Sequence, residues 1–209
     1  MIERVYELAD FDAIRLSGSH DVFVKTGATV SVRAEGAEKA LDALDVAVSD
    51  GTLSIGSRRS GIFGVRRGGA VAVHVTVPGL RRASIAGSGE IRVDKVQGSS
   101  FEAAIAGSGD IRIDDMDVED ARFSIAGSGD VKACGRAQTA GMKIAGSGDG
   151  DLSQLLVEDA EIAIRGSGDV HAHATGSARV SIRGAGDVKL AGGATCTIDQ
   201  AGSGRVQIA

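Results

Sequence analysis

One acidic residue recurs at a fixed interval along most of the chain: Glu90, Asp110, Asp130, Asp149, Asp169 and Asp187. A row of stacked carboxylates could bind cations or be neutralised within the protein. Adjacent parallel strands lie about 4.8 Å apart. Two like charges at that distance repel by roughly 1 kcal/mol in water and about 3.5 kcal/mol at an effective dielectric near 20. Two residues further on stand Arg92, Arg112, Lys132, Asp151, His171 and Lys189, a largely basic row on the same outward face. The charge balance favours a structural ladder over a row of calcium sites. The calcium-binding glycine-rich nonapeptide looks similar but has a much shorter period.

A tighter constellation is Asp169-Val170-His171-Ala172-His173, whose polar side chains share one face. One coil earlier, Asp149 is expected to stack on Asp169 and Asp151 on His171. Imidazole nitrogens and carboxylate oxygens at that spacing suit a divalent transition metal such as zinc. The competing reading is a solvated row in which Lys132, Asp151, His171 and Lys189 alternate in charge. No resident cofactor is expected otherwise. Catalytic patterns are weak: no Gly-x-Ser-x-Gly elbow accompanies the Ser, His and Asp residues, and Ala185 replaces one corner serine. The Gly-Ser-Gly turns lack the Lys-Ser/Thr that a phosphate loop needs. We therefore expect no enzyme and assign no catalytic residues.

These side chains are positioned by a repeat. The first glycine of each Gly-x-Gly falls at Gly87, Gly107, Gly127, Gly146, Gly166, Gly184 and Gly202, at spacings of 20, 20, 19, 20, 18 and 18 residues. Such a period marks a solenoid whose coils bury their apolar faces against their neighbours. Phe101, Ala103 and Ile105 alternate with polar or small residues, and Ile111 and Ile113 do so after the corner. That period of two belongs to strands with one buried face. Each coil is expected to hold two short strands joined at a glycine corner, with a more variable return such as Asp114 to Asp120. Parallel crossovers are overwhelmingly right-handed. The expected fold is all-β, a right-handed parallel β-helix of coils near 20 residues, with an N-terminal β-rich cap containing one short helix.

The division expected is residues 1–80 for the N-terminal β-rich region, continuous with a repeat solenoid over 81–209. Ser17 to Val22 resembles a degenerate corner. Ala37, Ala40, Leu41 and Leu44 follow helical spacing and could cover the apolar end of the first coil. Val46, Val48, Leu53 and Ile55 bracket Asp50-Gly51, a hairpin signal. Val71, Val73, Val75 and Val77 form a further strand before Pro78-Gly79, which contains the one proline of the chain.

Several of these segments carry a resemblance. Phe11-Asp12-Ala13-Ile14, Gly18 and Asp21-Val22-Phe23-Val24 resemble the opening of the bacterial head GIN domain family, a domain of unknown function labelled "putative auto-transporter adhesin". The strand Val75-Thr76-Val77-Pro78-Gly79-Leu80 and the repeated Gly-Ser-Gly-Asp corners match it in the same order. The resemblance implies a β-helical fold and export to the cell envelope, in the periplasm or at the surface, and brings no established functional residues. The expected role is a non-catalytic structural or adhesion-like module that presents a rigid surface to an envelope protein or another surface partner. The alternative is a ligand-binding module for a divalent metal or a glycan.

Composition excludes other classes. Aromatics make up 3% of 209 residues, and the formal net charge is −5. Neither stacking platforms nor a basic surface exists for nucleic acid. No apolar run approaches a membrane span, and the opening Met1-Ile2-Glu3 lacks the regions of a signal peptide. Cys134 and Cys196 occupy different positions in their coils and are not expected to meet. Two partner-contact regions stand out. The stretch from Ser57 to Gly69 sets Arg58 and Arg66 around Ile62 and Phe63. The last repeat ends with Val206 and Ile208, and a homo-oligomer is expected through this C-terminal coil.

Overall fold

Alternating apolar residues become stacked strands. The structure, a computed structural model, describes residues 2–57 and 70–209. It is 74% strand with one short helix, wound as a β-solenoid of about six turns with coils of roughly 20 residues. The regular part begins with β8 (Arg82–Gly87) and β9 (Glu90–Gly107) and continues through β10 (Asp110–Gly127), β11 (Val131–Gly146), β12 (Gly150–Gly166) and β13 (Val170–Gly184). Each strand from β9 to β13 pairs in parallel with the next, so Ile105, Ile125, Ile144, Ile164 and Ile182 stack one above another. All five are buried. Burying one such side chain contributes roughly 1.5–3 kcal/mol, and the repeat multiplies that gain along the rod.

The corner explains its glycines. The first glycine of each Gly-x-Gly has positive φ, from 128° at Gly202 to 143° at Gly87 and Gly184. The second has another reason: a Cβ at Gly129 would strike the carbonyl oxygen of Gly109 in the coil below. The residue between them supplies its N–H to the preceding coil, as Ser108 N donates to Gly87 O at 2.9 Å and Ala185 N to Gly166 O at 2.9 Å. The hydroxyl is not part of that contact, which is why alanine serves at 185.

The return segment is more ordered than the alternation suggested. In β10 the in-and-out pattern breaks at Asp114-Asp115 and again at Glu119-Asp120, with Met116 and Val118 buried between the breaks. Each coil therefore bends twice more after its glycine corner and has three short sides. The last coil is made of β14 (Val188–Ala191), β15 (Thr195–Gly202) and β16 (Val206–Ile208), which pair with β13 and β14.

At the other end, order along the rod departs from order along the chain. β2 (Ala13–Gly18) and β3 (Asp21–Thr26) form a coil whose corner, Gly18, registers with Gly87. β6 (Thr52–Ser57) and β7 (Ala72–Val77) lie on the far side of that coil, while β8 and β9 lie on the near side. The chain thus completes the middle coil first, builds the outer one, then passes over the middle one through Pro78–Arg81. Before doing so it reverses. β4 (Ser31–Gly36) and β5 (Leu44–Ser49) pair antiparallel with β7 and β6, and β1 (Ile2–Tyr6) adds antiparallel to β4. The link between β4 and β5 is α1 (Glu38–Ala43), whose Ala40 and Leu41 are buried in the core together with Leu44. The expected hairpin turn is Asp50 (φ 49°) and Gly51 (φ 70°), a two-residue loop with both central φ angles positive.

Candidate interaction surface

Along the face after the glycine corner, the ladder acids are held by backbone. Oδ1 of Asp110 accepts the N–H of Asp130 at 3.0 Å, and Asp130 accepts that of Asp149 at 2.9 Å. Asp149, Asp169 and Asp187 continue the chain with the N–H groups of Asp169, Asp187 and Arg205 at 2.7, 2.7 and 2.8 Å. Each carboxylate thus sits over the next coil's amide, and a hydrogen bond to a charged acceptor contributes about 1.5–3 kcal/mol. This chain of amides, more than the neighbouring basic row, offsets the stacking of like charges. Glu90 differs: it pairs with Arg112 at 3.2 Å, while Asp110 N donates to Gly89 O.

The second row runs in register across the sheet as Phe23, Arg92, Arg112, Lys132, Asp151, His171 and Lys189. Arg92 reaches forward to Asp114 at 3.1 Å, and Lys132 to Asp151 at 2.8 Å. Burial opposes ionisation of Asp151, but hydrogen bonds from Lys132 and from the hydroxyl and N–H of Ser153 outweigh it and bring its carboxyl down to about 2. Asp110, Arg112, Asp130, Lys132, Asp149 and Asp151 line a shallow depression of about 210 Å³.

Of the residues considered for a metal, Asp151 and His171 are register partners, and the Asp149 carboxylate meets the Asp169 amide. His173 is displaced: a register shift after Leu152 sets it opposite Leu156. Among the described residues no group of three or more His, Cys, Asp or Glu side chains is placed to hold a metal ion. The Asp151 carboxylate is instead occupied by Lys132 and Ser153, the latter at 2.5 Å. Both cysteines are free. Cys134 Sγ donates to Gln154 Oε1 at 3.1 Å, and burial pushes the Cys196 thiol up.

Of the partner-contact candidates, Arg58, Ile62, Phe63 and Arg66 lie outside the described residues. Val206 is half-buried on β16, Ile208 is 53% exposed, and Ile198 on β15 is 44% exposed. Sequence reasoning used Phe11-Asp12 and Pro78-Gly79 only as marks of the family resemblance and of the passage to the solenoid, and it passed over Asp10 and Gln97–Ser100.

Comparison with known proteins assigns the chain to a family. The family described as "Putative auto-transporter adhesin, head GIN domain" matches residues 10–194. The chain belongs to that family. Among solved structures, this head GIN chain is similar to a putative adhesin from Bacteroides fragilis at 24% identity and a TM-score of 0.91, covering 100% of this chain and 96% of that one. It is also similar to a putative lipid binding protein from Parabacteroides distasonis at 21% identity and a TM-score of 0.80, with 100% and 96% covered. A putative adhesin from Parabacteroides merdae follows at 18% identity and a TM-score of 0.76, with 100% and 95% covered. At these identities the likeness concerns the fold. None of these descriptions is that of an enzyme, and no curated protein matches the chain. Among the described residues no helix is long and apolar enough to cross a membrane.

Proposed function

We propose that this head GIN chain is a non-catalytic, adhesion-like module of the bacterial envelope that presents a rigid β-helical surface to a partner. The observation that carries the reading is the banded face. Acidic and basic rows are locked in register by backbone pairing, and each ladder carboxylate is further tied to the coil above it. Side chains held that way lose little freedom on contact, so their charges favour association with a complementary surface. The family description supports the adhesive role and a place outside the cytoplasm. The last coil offers a second contact, through which copies of the chain pair with one another.

Beads carrying the purified chain test this reading. They should be retained on immobilised bacterial envelopes more strongly than beads carrying an unrelated β-solenoid. Reversing the basic row with Arg92→Glu, Arg112→Glu and Lys132→Glu should cut retention at least fivefold and flatten its dependence on salt. Retention equal to that of the unrelated solenoid overturns the proposal.

A further inference from the structure

The regular coils have no deep concavity, because each is stacked on the next with no spare backbone. The one place where stacking order and chain order part company is the crossover at the N-terminal end. There the link Pro78–Arg81 passes over the β2–β3 coil, and its Arg81 N–H donates to Asp12 O at 2.8 Å. The β3–β4 link meets it where Gly27 N donates to Val77 O at 3.0 Å. Between these links and the bend of β9 at Gln97–Ser100 lies a groove of about 730 Å³. Natural small-ligand sites span about 300–1,000 Å³ and favour points where chain topology changes direction.

Its walls are of two kinds. Phe11 and Leu80, both buried, form an apolar floor with Leu8, Val30 and Pro78 beside them. Asp10, Thr29, Gln97, Ser99 and Ser100 stand exposed around the rim. Gly79 and Gly98 belong to the lining, and a Cβ at either would meet nothing within 4 Å. Asp12 belongs to the lining, and its Oδ1 is buried with no hydrogen-bond partner among the described residues. The one cation in the lining, Arg81, is already held by Asp12 through Nε at 2.5 Å.

We infer that this groove binds a neutral oligosaccharide. Sugar hydroxyls donate to the carboxylate of Asp10 and exchange hydrogen bonds with Gln97, Ser99 and Ser100. The C–H face of a sugar ring packs on Pro78 and Leu80. An anionic ligand finds its one cation occupied. A fatty acyl chain would gain the apolar floor but leave the polar rim unmatched. The inference stands apart from the adhesive reading, since a soluble sugar can occupy the groove whether or not the rod faces hold a surface.

Saturation-transfer NMR on the whole chain decides it. The probes are neutral trisaccharides built on glucose, mannose, galactose and N-acetylglucosamine, with dodecanoate as the lipid counterpart. At least one trisaccharide should bind with Kd near or below about 1 mM. Gly79→Leu, which adds bulk at a lining glycine with no positive φ and with room for a Cβ, should weaken it at least tenfold without lowering Tm. Asp10→Ala, on an exposed link, should weaken it at least threefold and decides the matter even if the leucine variant misfolds. Binding of dodecanoate alone, of no trisaccharide, or of a trisaccharide indifferent to Asp10→Ala overturns the inference.

Discussion

At the N-terminal end, the outermost parallel coil, β6 with β7, is covered by a chain running the other way. At the C-terminal end, among the described residues, β15 and β16 pair on one side only. A parallel coil cannot finish itself, because its outer edge offers the same ladder and the same apolar interior that its inner edge has filled. The N-terminal third solves this with a reversal. Antiparallel β4 and β5 take up the edge hydrogen bonds, and α1 brings Ala40 and Leu41 into the core. The C-terminal end tapers instead: every residue of β15 is at least partly exposed, and the core closes at Leu190 and Ala194. Repetition extends a rod, but ending one requires residues that break the repeat.

The largest effect expected comes from the stack that joins the two ends. Ile125 is 2% exposed and sits between Ile105 and Ile144, so Ile125→Asp buries an unpaired charge in a continuous column. Loss of about 4 kcal/mol or more is expected, and chemical denaturation should show the regular coils unfolding. The neighbouring outward position, Ser124→Asp, should change stability by less than about 0.5 kcal/mol. Equal effects at the two positions would mean that the register is wrong.

The comparison of the ends is tested directly by truncating one apolar side chain at each. Leu41, on the inner face of α1, is fully buried, whereas Ile198 is 44% exposed on the edge strand. Leu41→Ala should cost about 2–5 kcal/mol and speed hydrogen exchange in β6 and β7. Ile198→Ala should cost well under 1 kcal/mol, with exchange in β13 unchanged. If the two variants lose equal stability, the N-terminal cover is not what closes the rod.

How much of this was legible depended on distance along the chain. The glycine corner, the buried isoleucine column, the helix over 38–43 and the Asp50-Gly51 turn are local signals, and the structure has each of them. The sandwiching of β2 and β3 between segments from 52–77 and 82–93 is not local. Ile14 pairs with Leu53 on one side and Ala83 on the other, and nothing in the alternation chooses between those partners. The third side of each coil was obscured because Asp114-Asp115 interrupts the period of two just before Met116. The candidate site was legible as rows of charge but not as bonds. Spacing placed Asp149 beside Asp169, yet the carboxylate meets an amide rather than a metal partner. The residues of the crossover groove were in part legible as family marks, Phe11-Asp12 and Pro78-Gly79-Leu80, but not as one surface, because they come together only through the crossover.

Acid should separate the regions more gently. Among the groups with a lowered pKa are Asp117, through its hydrogen bond from Arg136, and Asp151, which is brought down to about 2, and both stand on regular coils. A carboxyl lowered on folding adds stability that is complete above its unfolded value, near 3.8, and is lost as pH falls toward its folded one. The Lys132–Asp151 contact should therefore persist at pH 4 and weaken between pH 4 and pH 2. Carbon-detected NMR should follow Asp151 titrating near 2, and Asp151→Asn should remove that part of the acid response. Titration of Asp151 near its ordinary value would show that Lys132 and Ser153 do not hold it in solution.

The smallest effect concerns the open end, where copies of the chain are expected to pair. Ile198 and Ile208 are exposed there, and among the described residues β15 pairs with β13 and β16 with β14 and with no further strand. Such an edge is a template for another chain. Two features limit its growth. The Arg205 N–H donates to the Asp187 carboxylate, but its own side chain offers no carboxylate to a further coil, so a copy stacked in the same sense does not continue the ladder. A self-complementary contact between two such ends also closes on itself, whereas head-to-tail stacking meets the antiparallel cover at the other end. A contact built on Val206, Ile198 and Ile208 alone would place association in the range of weak dimers, with Kd on the order of tens of micromolar. Light scattering on the 209-residue chain should show a mass rising toward the dimer across that range. Val206→Lys with Ile208→Lys should hold it at the monomer mass while leaving Tm within a few degrees. A monomeric mass for the unaltered chain at the highest concentration would mean that Val206 and Ile208 form no contact between copies.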